Sequence, residues 1–160
     1  MARRTIKVKN HSDVNEEYIA AAAVTPGMLL EVTSAGKVQA HSTSEGNASA
    51  LFAVEDELQG GDIDTAYAAD ARVFCWVPNP GDIVNAILVD GENVAIGDLL
   101  ASNGDGKLKK HVADEISAGE DISPEPIVGV AVQAVNLSDS SGGDSSGDLG
   151  YDKRIQVRIK

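Results

Sequence analysis

The chain has 160 residues, of which 42% are hydrophobic: enough to bury one core without metals or disulfides, and too little for two independent domains. A net charge of -12 argues against DNA or RNA as a partner of the body. No apolar run approaches the roughly 20 residues of a membrane helix, and a single cysteine, Cys75, rules out an internal disulfide.

The charge is unevenly spread. Arg3, Arg4, Lys7 and Lys9 precede Ser12 with no acidic residue among them, and Lys153, Arg154, Arg158 and Lys160 outweigh Asp152 at the other end, so the middle is more acidic than the total suggests. Residues 1–17 read as an extended basic arm. Thr5 to Lys9 alternates like a strand, but too short a strand to fold alone, so it is expected to lie on something. The first ten residues lack the apolar stretch of a secretory signal, which predicts synthesis in the cytoplasm.

Residues 18–160 read as one β-rich domain. Extended chain from Tyr18 to Val24 meets a turn at Pro26-Gly27. Gly27, Leu29, Leu30, Gly36, Lys37 and His41 then recur seventy residues later as Gly97, Leu99, Leu100, Gly106, Lys107 and His111. Gly-x-Leu-Leu followed by Gly-Lys-Val/Leu predicts a β-hairpin used twice. Between the copies, residues 50–54 and 72–77 read as buried strands, and the second encloses Cys75 as a structural thiol. Residues 62–69 read as the one helix, N-capped by Asp62, and residues 83–89 as a strand ending at the Asp90-Gly91 turn. Residues 127–135 read as one strand closing the core. Residues 138–150, rich in Ser, Gly and Asp, read as a solvated loop. Residues 151–160 read as a C-terminal strand with Ile155, Val157 and Ile159 on its apolar face, free to pair within the subunit or across an interface.

No group in this pattern announces a reaction. His11, His41 and His111 lack metal-ligand spacing, and His41 and His111, at the ends of the two hairpins, read as surface residues. Asn103 to Gly106 fails the calcium-loop spacing and reads as a glycine turn. Glu55, Asp56, Glu57, Asp62 and Asp64 cluster in a polar connection, which usually means a solvated surface. There is no nucleophile elbow, phosphate loop or dinucleotide fingerprint. The expectation is therefore a protein that is not an enzyme and takes no cofactor or metal.

The order of Tyr18 to Leu30, Gly36-Lys37-Val38, Ala50 to Asp56, Gly61 to Tyr67, Pro80-Gly81-Asp82, Gly97 to Leu100 and Gly104 to Leu108 resembles tailed-bacteriophage capsid decoration, or cement, proteins. The resemblance implies an all-β, β-tulip or barrel-like domain on the outside of an expanded head, the capsid exterior of the virion. It implies partners in the major capsid protein and in further copies of the chain, as a homotrimer at local three-fold positions, clamping capsomers against internal DNA pressure. It also implies a capsid-binding arm, here Arg3, Arg4, Ile6, Lys7, Val8 and Lys9, with Ile6 and Val8 as its buried side. Ala69-Asp70-Ala71 departs from the family's Gly-Asp turn, and the Ser/Gly tract lies outside its pattern. The alternative is a virion-displayed carbohydrate- or surface-binding module, which would need exposed aromatic rings.

Overall fold

The computed structural model describes residues 4–11, 13–112, 126–138 and 154–160. The described chain is β-dominated, 41% strand with no helix of seven residues or more, in several antiparallel sheets with no closed barrel. The largest sheet has six strands in the order β1 (Lys7–Lys9), β7 (Ile83–Ile87), β13 (Arg154–Ile159), β11 (Ile127–Ala131), β9 (Leu99–Ser102) and β10 (Leu108–Lys110). A second has β2 (Asn15–Ile19), β6 (Arg72–Trp76) and β5 (Phe52–Ala53). Two further pairs are β3 (Leu30–Val32) with β4 (Val38–Ala40), and β8 (Asn93–Val94) with β12 (Val135–Asn136).

The three-stranded sheet lies between two cores. Along β5 and β6, Phe52 and Trp76 enter one core with Ile6, Leu100 and Ile155, whereas Ala53, Val73 and Cys75 enter the other with Val24, Leu30, Val38 and Tyr67. Successive side chains of a strand point to opposite faces, so burial on both faces accounts for the unbroken apolar run from Val73 to Val77. The Tyr67 hydroxyl reaches the Val54 carbonyl at 2.8 Å, satisfying its only donor. Burial pushes both the Cys75 thiol and the Tyr67 hydroxyl up to about 12.

The repeated sequence gives repeated structure. His41 N–H donates to Leu29 C=O at 2.9 Å and His111 N–H to Leu99 C=O at 2.8 Å; Thr33 N–H donates to Lys37 C=O at 2.8 Å and Asn103 N–H to Lys107 C=O at 2.9 Å. Both turn glycines, Gly36 and Gly106, take positive φ. The copies also interlock, since Leu29 N–H donates to Gly106 C=O at 2.8 Å and Gly106 N–H to His41 C=O at 3.2 Å.

Several expectations are corrected. Residues 62–69 form no helix: the Asp62 carboxylate accepts from Asp64 N–H and the Thr65 hydroxyl, closing a turn, and Tyr67 then pairs with Val24. The described helical turn is instead Glu57–Gln59, capped by Asp56. Residues 127–135 are two strands, β11 and β12, in different sheets, because the chain bends after Ala131 to bring Val135 opposite Val94. His41 and His111 are buried rather than on the surface. The His41 ring stands 3.2 Å (Nε2) from the Asn47 carbonyl and 2.8 Å (Nδ1) from Ser102 Oγ. A carbonyl can only accept, so Nε2 carries a proton, and Nδ1 is hydrogen-bonded to the Ser102 hydroxyl. The turn after Ala69 is kept without glycine, by Asp70 at φ 63 paired with Lys37 at 2.7 Å. Of the C-terminal strand, residues 154–160 are described, and they pair within the subunit between β7 and β11. The Ser/Gly tract from 139 onward lies outside the described residues.

Arg154, counted in the sequence among the cations of a basic end, is 5% exposed. Its guanidinium donates to the carbonyls of Pro26 (2.8 Å) and Ile63 and lies 3.3 Å from Asp64 Oδ1. Gly27, at φ 87, lies against this guanidinium, against the Asn85 carbonyl and against the Ile6 side chain. Gly27→Ala should therefore lower stability by at least about 2 kcal/mol, from left-handed strain plus displacement of Arg154. Gly91→Ala, at φ 86 in open space, should lose only about 1 kcal/mol. Urea midpoints of the two variants check this.

A second prediction concerns alkali. Folded values raised to about 12 mean that Cys75 and Tyr67 stabilise the fold below their unfolded values, near 8.5 and 10, and that this contribution is lost as pH rises toward 12. The melting temperature should fall across that window, and native protein near pH 8 should leave a thiol reagent unreacted until denatured. Rapid native labelling would contradict the buried thiol.

Candidate functional site

The N-terminal segment, on which the sequence places the binding residues, is built into the body. Lys7 pairs with Val84 and Lys9 with Ile83, which makes β1 the outermost strand of the six-stranded sheet. Ile6 is fully buried in the first core. Its carbonyl accepts from Asn85 N–H at 2.9 Å, and its N–H faces both Glu55 carboxylate oxygens at 3.2 Å. Beyond the strand, His11 N–H donates to Asp82 Oδ1 at 2.7 Å, and Asn79 N–H to Asp82 Oδ2 at 2.8 Å. Two carboxylates thus clip the segment at its start and at its end, satisfying backbone donors at a sheet edge.

This corrects the idea of a separable arm spanning residues 1–17. Residues 7–9 belong to the six-stranded sheet and residues 15–17 to the three-stranded one. The physical reason is that Ile6 and Val8 alternate with cations, and the apolar surface nearest to hand is the chain's own core. Ile6 takes it completely, whereas Val8 is half-buried. Arg4 and Lys9 are exposed. Arg3 lies outside the described residues.

Lys7 is held on the rim. Its ammonium is 2.5 Å from Asp13 Oδ1 and 2.5 Å from Asn15 Oδ1, and 5.6 Å from the centroid of the Trp76 ring. The hydrogen bond from Lys7 holds the Asp13 carboxyl below its ordinary value. Beneath lies a groove of about 310 Å³ whose lining includes Thr5, Lys7, Asn15, Glu55, Leu58 and Phe74. Leu58, on the Glu57–Gln59 turn, is 93% exposed at its margin.

The carboxylates that cluster in sequence have separate duties. Glu55 clips Ile6, Asp56 caps the helical turn, Asp62 closes its own turn and Asp64 pairs with Arg154. Glu55 is half-buried, not a solvated surface group. Among the described residues no three His, Cys, Asp or Glu side chains gather in a way that could hold a metal ion. Among the described residues β1 has no sheet neighbour on its outer side, and the exposed Arg4 and Lys9 lie beside it, with Lys7 held by Asp13. Sequence reasoning missed Glu55 and Asp82 as clips, because their partners lie 49 and 71 residues away. Leu58 could have been noticed as a lone apolar residue in Glu55-Asp-Glu-Leu-Gln-Gly60. No protein-family model matches the chain, and no curated protein matches it.

Replacing Ile6 by Ala should destabilise the protein by about 2–5 kcal/mol, the cost of a core cavity, whereas Lys9→Ala should change stability by less than about 0.5 kcal/mol. Denaturant unfolding of the two variants measures the difference; equal, small effects would mean that Ile6 does not fill the core.

Proposed function

We propose that this chain is a structural virion protein, a decoration protein that binds the outer surface of an expanded bacteriophage head and stabilises it against the pressure of packaged DNA. The observation that carries the reading is a lysine-bearing strand that ends a sheet among the described residues, on an otherwise acidic β-rich body. It is supported by the ordered set of turn motifs that resembles capsid decoration proteins. The major capsid protein supplies an acidic, extended segment that adds to the outer edge of β1, with Arg4 and Lys9 supplying charge complementarity. Assembly as a trimer at local three-fold positions multiplies a modest single-site affinity through effective concentration.

In this form Ile6 anchors the strand to its own subunit, and the strand binds as a folded edge. Deleting residues 1–17 would therefore disturb the fold along with the interface, and charge reversal at exposed positions is the cleaner probe. The carbohydrate-binding alternative would need exposed aromatic rings: Phe52, Tyr67 and Trp76 are buried, Tyr18 and Phe74 are half-buried, and Tyr151 lies outside the described residues.

The protein should co-sediment with expanded heads of the phage that encodes it and not with unexpanded procapsids. The variant Lys9→Glu should keep its melting temperature and lose at least about threefold in head affinity, with a weakened salt dependence. Wild-type protein that fails to sediment with expanded heads, or a charge-reversed variant that binds undiminished, would overturn the proposal.

A further inference from the structure

A second cavity, of about 380 Å³, opens where the three-stranded sheet and the β3–β4 hairpin part at the mouth of the second core. This volume sits at the small end of the range for specific sites. Leu30, Leu51, Ala50 and Val77 give it an apolar floor, and its lining also includes Glu16 and Glu31. Val32, likewise part of the lining, is 49% exposed, so apolar surface continues outward from the cavity.

Glu31 is held by several partners, and the exposed Glu16 by one. Glu16 Oε2 accepts from the Tyr18 hydroxyl at 2.6 Å. Glu31 Oε1 accepts from Gln39 Nε2 at 2.7 Å and from the Ser42 hydroxyl at 2.8 Å, while Oε2 stands 4.0 Å from His41 Nε2. The bonds from Gln39 and Ser42 hold the Glu31 carboxyl below its ordinary value, so it is charged at neutral pH. His41 is itself held by Ser102 and the Asn47 carbonyl. An occupant therefore meets a preorganised Glu31 carboxylate and the exposed Glu16 beside apolar lining, on a chain whose net charge is -12.

The geometry points to a docking pocket for one long basic side chain, an arginine carried on the surface of a protein partner. Its methylene stem would lie against Leu30, Leu51 and Val77, as such stems cover apolar surface elsewhere, and its guanidinium would meet the carboxylates. Arginine fits better than lysine because its planar fork can present two donors to a carboxylate and it is the more weakly hydrated cation. The inference does not rest on the capsid reading, because pocket and rim are independent of β1.

The test is a nitrogen-15 NMR titration of the intact chain with acetyl-Gly-Arg-Gly-amide, beside the same peptide carrying norleucine. Saturable shifts should centre on Glu16, Tyr18, Glu31, Val32, Ala50 and Leu51, with the arginine peptide bound at least about threefold more tightly than norleucine. Glu31→Gln, and separately Glu16→Gln, should each reduce arginine-peptide affinity while leaving the rest of the spectrum in place; two variants guard against one of them disturbing the hairpin. Absence of saturable shifts at these residues, shifts centred elsewhere, equal affinity for norleucine, or affinity unchanged in both variants would overturn the assignment.

Discussion

The buried guanidinium of Arg154 ties together segments far apart in sequence. β13 carries it as a central strand of the largest sheet, and its donors reach the Pro26 carbonyl, at the start of the first hairpin copy, and the Ile63 carbonyl and Asp64 carboxylate, in the turn before Tyr67. Removing one partner from such a buried arrangement typically costs about 3–5 kcal/mol, because the other is left desolvated. Glycine at position 27 is the complement of that arginine: it leaves room for the guanidinium and for the close approach of Asn85 and Ile6. The N-terminal strand, the first hairpin and the C-terminal strand therefore meet at one point, and Ile6 is part of the fold through that junction.

This constraint shapes what the molecule can offer a partner. A tethered arm would pay ordering entropy on binding, whereas a strand already clipped by Glu55 and Asp82 does not. The cationic edge of β1 and the acidic mouth of the second core are opposite in charge and built from different sheets. A molecule with one basic edge and one acidic pocket can engage two chemically distinct surfaces.

Much of the fold is legible in the sequence because its signals are local. The paired glycines and leucines of the repeat place both hairpins, and their turns need only the positive φ that glycine supplies. The alternation of Ile155, Val157 and Ile159 gives the C-terminal strand its face. What is not legible depends on distant partners. The apparent helix at 62–69 has helical spacing, yet the Asp62 side chain bonds its own neighbours and Tyr67 pairs with Val24, so the tertiary pairing wins. Arg154 reads as a surface cation because nothing near it in sequence says that Pro26 and Ile63 wait to accept its donors. His41 reads as a surface residue for the same reason, its partner Ser102 being 61 residues away. At the candidate site the cations were legible and the destination of Ile6 was not, since an apolar residue in a basic stretch suits a partner's surface as well as the chain's own core.

The central claim is that the N-terminal strand is locked into the body before any partner arrives, and native-state hydrogen exchange at the Asn85 amide tests it most directly. That amide donates to the Ile6 carbonyl, so it reports whether the strand is docked. The account predicts strong protection in the free protein, comparable to that of β13 amides. Exchange at the rate of an unstructured chain in the free protein, with protection gained only on binding a partner, would contradict it and restore the free arm.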